Sequence, residues 1–225
     1  MTAVAVIPAR GGSKGIPRKN LLPVGGRPLI CWTIAQALAV DGLRVVVSTE
    51  DAEIAQVART AGAEVVDRPA ELAEDTTATE PVVEHVITTL TETGERPDVV
   101  MLLQATSPVR LPGTLGRALV QLETTGVDSL VGVVPQAPFL WWQGRTPRAD
   151  YPVDARPRRQ DLTPDQLRYR ETGSVYVTRT EVYEQARNRL GGRIGLFVMD
   201  PVEGIDIAEP DDVPIAEKLL AKAYG

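Results

Sequence analysis

Short apolar runs alternate along this chain with longer stretches in which apolar residues return every three or four positions. The short runs predict strands at residues 3–8, 44–48, 64–66, 98–103, 129–134, 173–177 and 194–199. Between them the helical period predicts helices. The segment 28–40 opens with Pro28 at a first-turn position, where a missing N–H is harmless, and spaces Leu29, Trp32, Ala35, Gln36 and Ala39 along one face. The segment 52–61 follows Asp51 as an N-cap and stops at Gly62. Further helices are predicted at 80–91, 114–124, 181–188 and 211–223. Strand and helix in regular succession predict an α/β protein of three layers, α/β/α, with a mostly parallel central sheet.

One region breaks the rhythm. Residues 135–170 carry six prolines, the pair Trp141-Trp142 and no sustained period. A disordered linker rarely holds a Trp pair together with Phe139, Leu140 and Tyr151, whose side chains need burial. The region is therefore expected to be an inserted arm that packs on a partner subunit, making the protein a homodimer. The 225 residues, 43% of them hydrophobic, suffice for one core, so residues 1–225 are expected to form a single domain.

Charge narrows the function. A formal net charge of -6 argues against nucleic-acid binding through a broadly basic surface. No apolar run approaches the ~20 residues of a membrane span, and no basic leader precedes Val4, so a soluble, cytoplasmic protein without membrane contact is expected. The cations are concentrated. Arg10, Lys14, Arg18 and Lys19 lie in residues 9–20, which contain no acidic residue, and Arg156, Arg158, Arg159, Arg168 and Arg170 form a second island. Two cationic islands on an acidic chain imply two anionic ligand groups, because a small polyanion is steered by the local field. The lone Cys31 reads as a small buried hydrophobe, and the lone His85, mid-helix beside Val83 and Val86, as structural.

The first island is a glycine-rich loop leaving the first strand, Pro8-Ala9-Arg10-Gly11-Gly12-Ser13-Lys14-Gly15 followed by Ile16-Pro17-Arg18-Lys19-Asn20. Its glycines let backbone N–H groups approach an anion, and its cations supply charge where a pentavalent phosphorus centre and departing pyrophosphate would develop it. It is not a Walker A loop, since Gly15 and not Ser or Thr follows Lys14, and it does not fit G-x-G-x-x-G.

This loop resembles the signature loop of the CMP-sialic acid synthetase (acylneuraminate cytidylyltransferase) family, and the resemblance extends over nearly the whole chain. Arg68-Pro69-Ala70-Glu71-Leu72-Ala73 with Asp75-Thr76 resembles the family's nucleotide-base segment. Leu102 to Arg110 resembles its LLQPTSPLR motif, with Ala105 in place of Pro. Arg159-Gln160-Asp161-Leu162 and Tyr169-Arg170-Glu171-Thr172-Gly173-Ser174-Val175-Tyr176 resemble its sugar-binding arm, with Thr172 in place of Asn. Gly204-Ile205-Asp206-Ile207 resembles its metal-binding strand, with Ala208 where many relatives have a second Asp.

The resemblance implies a Rossmann-like nucleotidyltransferase fold with a protruding arm for dimerisation and acceptor binding. It implies transfer of CMP from CTP to an acidic 2-keto-3-deoxy sugar, sialic acid or a related nonulosonic acid, with release of pyrophosphate. Arg10, Lys14 and Lys19 would be catalytic, Lys14 closing over the triphosphate. Ala9, Arg10, Gly11, Lys19, Asn20, Arg68 and Thr79 would bind CTP, Thr79 standing where relatives often have Ser. Gln104, Arg159, Arg170 and Tyr176 would bind the acceptor. Asp206 would bind Mg²⁺, either almost alone with waters or joined by Glu209 or Asp211, whereas Asp211 and Asp212 also suit a cap for the last helix. Read from the residues alone, the alternative for Arg68 is a surface ion pair with Glu71 or Asp67. Rival functions are transfer to another ulosonic acid or a phosphonate, a sugar-1-phosphate nucleotidyltransferase using UTP or another nucleotide, and a non-catalytic nucleotide-binding homologue, the last suggested by Ala208.

Overall fold

The computed structural model describes residues 1–225. In chain order its elements are β1 (Ala3–Pro8), β2 (Pro23–Val24), β3 (Arg27–Pro28), α1 (Leu29–Leu38), β4 (Leu43–Thr49), α2 (Ala52–Thr60), β5 (Glu64–Asp67), α3 (Thr79–Glu92), β6 (Val99–Leu103), α4 (Thr114–Thr125), β7 (Ser129–Gln136), β8 (Trp141–Trp142), β9 (Arg148–Ala149), β10 (Arg168–Arg179), α5 (Thr180–Ala186), β11 (Ile194–Val198) and α6 (Asp212–Tyr224). Seven strands form one sheet in the order β11-β7-β10-β6-β1-β4-β5, and only β10 runs against its neighbours. No helix is long and apolar enough to cross a membrane.

Period-two alternation along the central strands splits the core between the two faces of the sheet. Ala5 and Ile7 of β1 pack with Ile30 and Ile34 of α1, Ile54 of α2 and Leu115 and Leu122 of α4. Val4 and Val6 face the other way, toward Val83, Val86 and Leu90 of α3 and Tyr183 of α5. The expected three layers follow from that alternation. A smaller cluster of Ile16, Val24, Trp32, Val109, Ile207 and Leu220 seats α6 and the β2–β3 hairpin at the side of α1.

The differences from expectation have local causes. Pro28 closes β3 and stands just outside α1 with ψ 139, so the helix begins at Leu29. The helix α5 stops at Ala186 because Arg187 adopts a left-handed φ of 51. Strand β10 starts five residues before its predicted start of 173, at Arg168, since Arg168–Glu171 pair with Gln136–Val133 of β7 beyond the sheet's body. A bulge between Glu171 and Tyr176 absorbs the register shift. The excursion proper is thus 137–167. It is built around Tyr151, which is buried edge-on against Phe139 and Trp141 at 5.4 and 6.1 Å, with the Arg156 guanidinium over both Phe139 and Tyr151. The Trp pair sits on the small β8–β9 hairpin, where Trp141 and Trp142 remain 55% and 62% exposed.

Chain order places the site. From β1 the chain moves outward to β4 and β5, then returns to lay β6 on the other side of β1. The direction of winding therefore reverses between β1 and β6, and the loops leaving their carboxyl ends diverge to open a crevice. Strand β7 is antiparallel to β10, as β6 is, so its carboxyl end and the arm that leaves it project from the same edge of the sheet.

Beside this crevice Asp51 caps α2 as expected, its Oδ1 accepting the N–H groups of Glu53 and Ile54 at 3.0 Å each, while its carboxylate also pairs with Arg18. The Arg18 hydrogen bond leads the causes that hold the Asp51 carboxyl below the usual range. A depressed folded value means that the stabilisation is complete above the unfolded value of about 3.9 and is lost as pH falls through the folded one. Asp51→Ala should cost about 1 kcal/mol of stability at pH 7. In urea unfolding the deficit should shrink as pH drops below about 4, and an unchanged midpoint at neutral pH would refute the cap's contribution.

Candidate active site

The crevice holds a cavity of about 450 Å³, lined from the β1 loop by Arg10, Ser13, Lys14, Gly15, Lys19 and Asn20, and from the β6 loop by Gln104, Ala105 and Thr106. Its third wall is the segment from Arg68 to the start of α3, including Asp75, Thr77 and Thr79. Seven residues marked out in the sequence therefore meet in one place: Arg10, Lys14, Lys19, Asn20, Arg68, Thr79 and Gln104.

The loop is shaped from within. The Asn20 side chain donates to the Arg10 carbonyl at 3.0 Å and clips its two ends together. The Gly11 N–H donates to Glu50 Oε1 at 2.7 Å, and the buried Ala9 N–H donates to the Ser48 carbonyl at 3.0 Å. A Cβ on Gly15 would stand 2.8 Å from the Ala208 carbonyl, so a larger residue there would push the loop off its seat. Lys19 donates to the Ile207 carbonyl at 2.8 Å and ties the loop to the segment that bears Asp206.

The charges sort into two groups. Arg10 and Lys14 both reach the Asp75 carboxylate, at 2.8 and 3.0 Å, and these pairs hold its carboxyl below the usual range, with Lys14 the leading cause. Arg18 turns the other way, onto Asp51 and Glu53, and does not line the cavity. Sequence reading placed Asp75 in the segment resembling the family's nucleotide-base segment but missed it as a partner of the loop, because it lies 65 residues from Arg10.

Arg68 is 7% exposed and donates to the Ser48 carbonyl at 2.5 Å and to Ser48 Oγ at 3.3 Å, with Glu50 4.0 Å away. Burial lowers its pKa, opposed by Glu50 and reinforced by Arg10. The surface pair with Glu71 or Asp67 is absent, and Asp67 faces Arg59 at 3.8 Å. Thr79 is the first residue of the fourteen-residue α3, whose N-cap Ala78 supplies no side-chain bond. An uncapped helix start adds positive potential to a cavity already lined by cations.

The remaining candidates lie outside the cavity lining. Arg159 is exposed on a short turn of the arm. Arg170, also exposed, donates to the Gly204 carbonyl at 2.9 Å. Tyr176 is 4% exposed in the core beneath α3, its hydroxyl hydrogen-bonded to Glu171, and burial followed by that carboxylate pushes its pKa up to about 12. Asp206 is exposed one step beyond the cavity, where Ser107 Oγ donates to its Oδ1 at 3.2 Å and the Ile207 N–H donates to the Thr106 carbonyl at 2.8 Å. No group of three or more His, Cys, Asp or Glu gathers to hold a metal. Asp212 accepts the N–H groups of Ala208 and Glu209 at 2.9 and 2.8 Å, bracing the turn before α6 instead of capping the helix itself. Thr172 is buried in the β10 bulge, donating to the Gly132 carbonyl and accepting the Ser174 N–H. Of the two lone residues, Cys31 is half-buried against the core, and His85 is half-buried mid-helix on α3.

A cationic glycine loop at the switch point of a mostly parallel sheet defines a phosphate-binding α/β protein of the nucleotidyltransferase type. The cytidylyltransferase family model matches residues 4–185. The chain belongs to that family, within the group of CMP-sialic acid synthetases. It is 36% identical over 224 residues to N-acylneuraminate cytidylyltransferase B of Danio rerio, covering 97% of this chain and 51% of that protein. It is 34% identical over 233 residues to the CMP-N,N'-diacetyllegionaminic acid synthase of Legionella pneumophila, covering 98% of this chain and 97% of that one. The chain spans about half the length of the vertebrate relatives it matches. Among solved structures it shares its fold with a CMP:2-keto-3-deoxy-manno-octonic acid synthetase complexed with CTP, at a TM-score of 0.71 and 21% identity over 99% of both chains. The 4-diphosphocytidyl-2C-methyl-D-erythritol synthase has the same fold, at a TM-score of 0.69 and 15% identity, over 97% of this chain and 98% of that one.

Because Asp75 occupies the two cations that an anion would seek, an entering polyphosphate must displace it. Asp75→Asn should tighten binding of inorganic triphosphate roughly twofold to fivefold, the modest factor expected for exposed pairs. Calorimetry on the two proteins reads it directly, and weaker binding in the variant would show that Asp75 helps the anion instead of competing with it.

Proposed function

We propose that this protein transfers CMP from CTP to an acidic 2-keto-3-deoxy sugar of the sialic acid type and releases pyrophosphate. The observation that carries this reading is the convergence of Arg10 and Lys14 on one carboxylate inside a 450 Å³ cavity, which puts acidic oxygens where phosphate oxygens would sit. Family membership supports cytidine as the nucleoside. The names of the relatives, N-acylneuraminate and diacetyllegionaminic acid enzymes, support a nonulosonic acid as the acceptor.

In this reading Arg10 and Lys14 exchange Asp75 for the triphosphate, and Lys19 holds it from the base of the same loop. Ala9, Gly11 and Asn20 keep the loop in the shape that receives it. Arg68 and Thr79 face the cytidine. The acceptor enters from the arm side, past Gln104, with Arg170 and Arg159 toward its carboxylate and Tyr176 acting through Glu171. Its anomeric hydroxyl oxygen forms a bond to the α-phosphorus as the bond from that phosphorus to the bridging oxygen breaks, pyrophosphate leaves with the electron pair, the hydroxyl proton passes to solvent, and no covalent enzyme intermediate forms. Catalysis is alignment plus charge stabilisation by fixed donors.

Mg²⁺ suits the donor set. Asp206 offers one hard carboxylate oxygen not engaged by Ser107, and this ion commonly takes one or two carboxylates with the rest of its shell from water and substrate phosphates. When bound, the ion would neutralise charge on the phosphate oxygens.

The partner we propose is a second copy of the chain, with the arm as the contact. Leu140, Trp141, Trp142 and Val153 are 40%, 55%, 62% and 59% exposed there, an apolar surface larger than a solitary arm needs. A cytoplasmic location is proposed with it, in keeping with two small, water-soluble anionic substrates.

Pyrophosphate release should require CTP and not UTP, ATP or GTP, and should appear with N-acetylneuraminate or N,N'-diacetyllegionaminate in a panel that also contains 2-keto-3-deoxyoctonate and a phosphonate. Arg10→Ala or Lys19→Ala should lower turnover on the order of a hundredfold or more with the fold intact; near-normal turnover in Arg10→Ala sinks the assignment. CTP binding without turnover across the panel would instead favour a nucleotide-binding homologue. Light scattering should give twice the 24.3 kDa chain mass at micromolar concentration, and a single chain mass would rule the dimer out.

A further inference from the structure

Arg110 is the largest side chain fully shut away from solvent, and it carries a charge with no carboxylate paired to it. The neighbouring buried carboxylate, Glu203, spends its oxygens on the Leu111 N–H, the Thr114 hydroxyl and the Asp200 N–H. The guanidinium is held by neutral oxygens alone. Nη1 donates to Thr33 Oγ1 and Gln36 Oε1, both at 3.0 Å, while Nη2 donates to the Gln104 carbonyl at 2.9 Å and the Ser174 carbonyl at 2.8 Å. Its Nε finds no partner. Burying a guanidinium this way is unfavourable unless something depends on it.

What depends on it is the end of a ladder. The pairing of β6 with β10 stops at Leu103 and Val175, so the carbonyls of Gln104 and Ser174 lie just beyond the last rung. Buried carbonyls need donors. One nitrogen of Arg110 donates to both, the Gln104 carbonyl also accepting the Ser107 N–H at 3.3 Å, and it bridges the two strands at the point where β10 bulges. On the cavity side of this clamp Gly173, at φ +72, lies so close to Gln104 that a Cβ there would stand 2.7 Å from Gln104 Oε1. The Gln104 amide therefore rests on the bulge, and the bulge rests on Arg110.

We propose that Arg110 is a positioning residue for the acceptor, its guanidinium bridging the carbonyls of Gln104 and Ser174 so that the Gln104 amide is presented to the sugar. The proposal rests on the reading of Gln104 as an acceptor contact. Arg110 touches neither substrate. A lysine cannot replace it, because one ammonium cannot span four acceptors lying on two sides of a planar fork.

The test measures acceptor KM by pyrophosphate release with N-acetylneuraminate and N,N'-diacetyllegionaminate, and CTP affinity by calorimetry, on purified full chains. Arg110→Lys should raise acceptor KM on the order of tenfold to a hundredfold, as loss of buried charge-assisted hydrogen bonds implies, and leave CTP affinity within about twofold. In a Gln104→Ala background the same substitution should add little, since both act through one amide. Gly173→Ala, which crowds that amide without touching the buried charge, should reproduce the selective rise in KM, and it decides the matter if Arg110→Lys does not fold. Equal losses of CTP and acceptor binding, or effects of Arg110→Lys and Gln104→Ala that add in full, would overturn the proposal while leaving the function standing. An unchanged KM in Gln104→Ala would overturn the proposal together with the reading of Gln104 as an acceptor contact, and no turnover by the unaltered chain would overturn the function itself.

Discussion

Like charges confined to one cavity repel, and the structure around this cavity is organised by that constraint. Arg10, Lys14, Lys19 and Arg68 all line it. Each is held by a different oxygen: Asp75 takes Arg10 and Lys14, the Ile207 carbonyl takes Lys19, and the Ser48 carbonyl takes Arg68. Two of these anchors are backbone carbonyls on other elements, which fix position without cancelling charge. The third is a carboxylate on an exposed segment, which a stronger anion can replace. The exposed wall thus pairs its cations with a carboxylate, whereas the inner anchors are carbonyls, with Glu50 4.0 Å from Arg68 as the one acidic neighbour there, and the net field of such a cavity would favour a small polyanion.

The same logic explains which features were legible in the sequence. Strands and helices were, because every central strand is buried and their periods are local. The β1 loop was too, since its glycines and cations are consecutive. Long-range partners were not. Arg68 has Asp67 and Glu71 as sequence neighbours, yet parallel pairing of β4 and β5 sets Ser48 opposite Val66 and brings the Ser48 carbonyl to the guanidinium. The extension of β10 was hidden for a related reason: Arg168–Glu171 are polar and partly or fully exposed, so no apolar period marks a segment that is a strand only because β7 lies beside it. The arm's Trp pair read as a demand for burial, whereas within one chain Tyr151 takes the centre and Trp142 stays out.

Topology then converts these local facts into a site. The reversal of winding between β1 and β6 opens the crevice, and the antiparallel insertion of β10 beside β6 closes its far side. An all-parallel sheet would continue with a further crossover there. The antiparallel strand instead lets the chain run out along β7, build the arm, and return along β10 on the same edge. Residues 168–171 extend past the end of β6, and Arg170 reaches the Gly204 carbonyl, only because the strand that carries them overshoots the sheet.

Overshooting leaves unpaired backbone, and the handling of that backbone separates the two halves of the crevice. On the β1 side the loop is held by single hydrogen bonds, Asn20 to the Arg10 carbonyl, the Gly11 N–H to Glu50 and Lys19 to the Ile207 carbonyl, and not by a ladder. On the β6 side, the Ile207 N–H takes the Thr106 carbonyl and a buried guanidinium takes the carbonyls of Gln104 and Ser174. The backbone acceptors of that wall are satisfied by a charge shut away from solvent. In the proposed reaction, where two anionic partners would meet in line, a charged glycine loop would face a wall fixed by buried donors against which the second partner would be aligned.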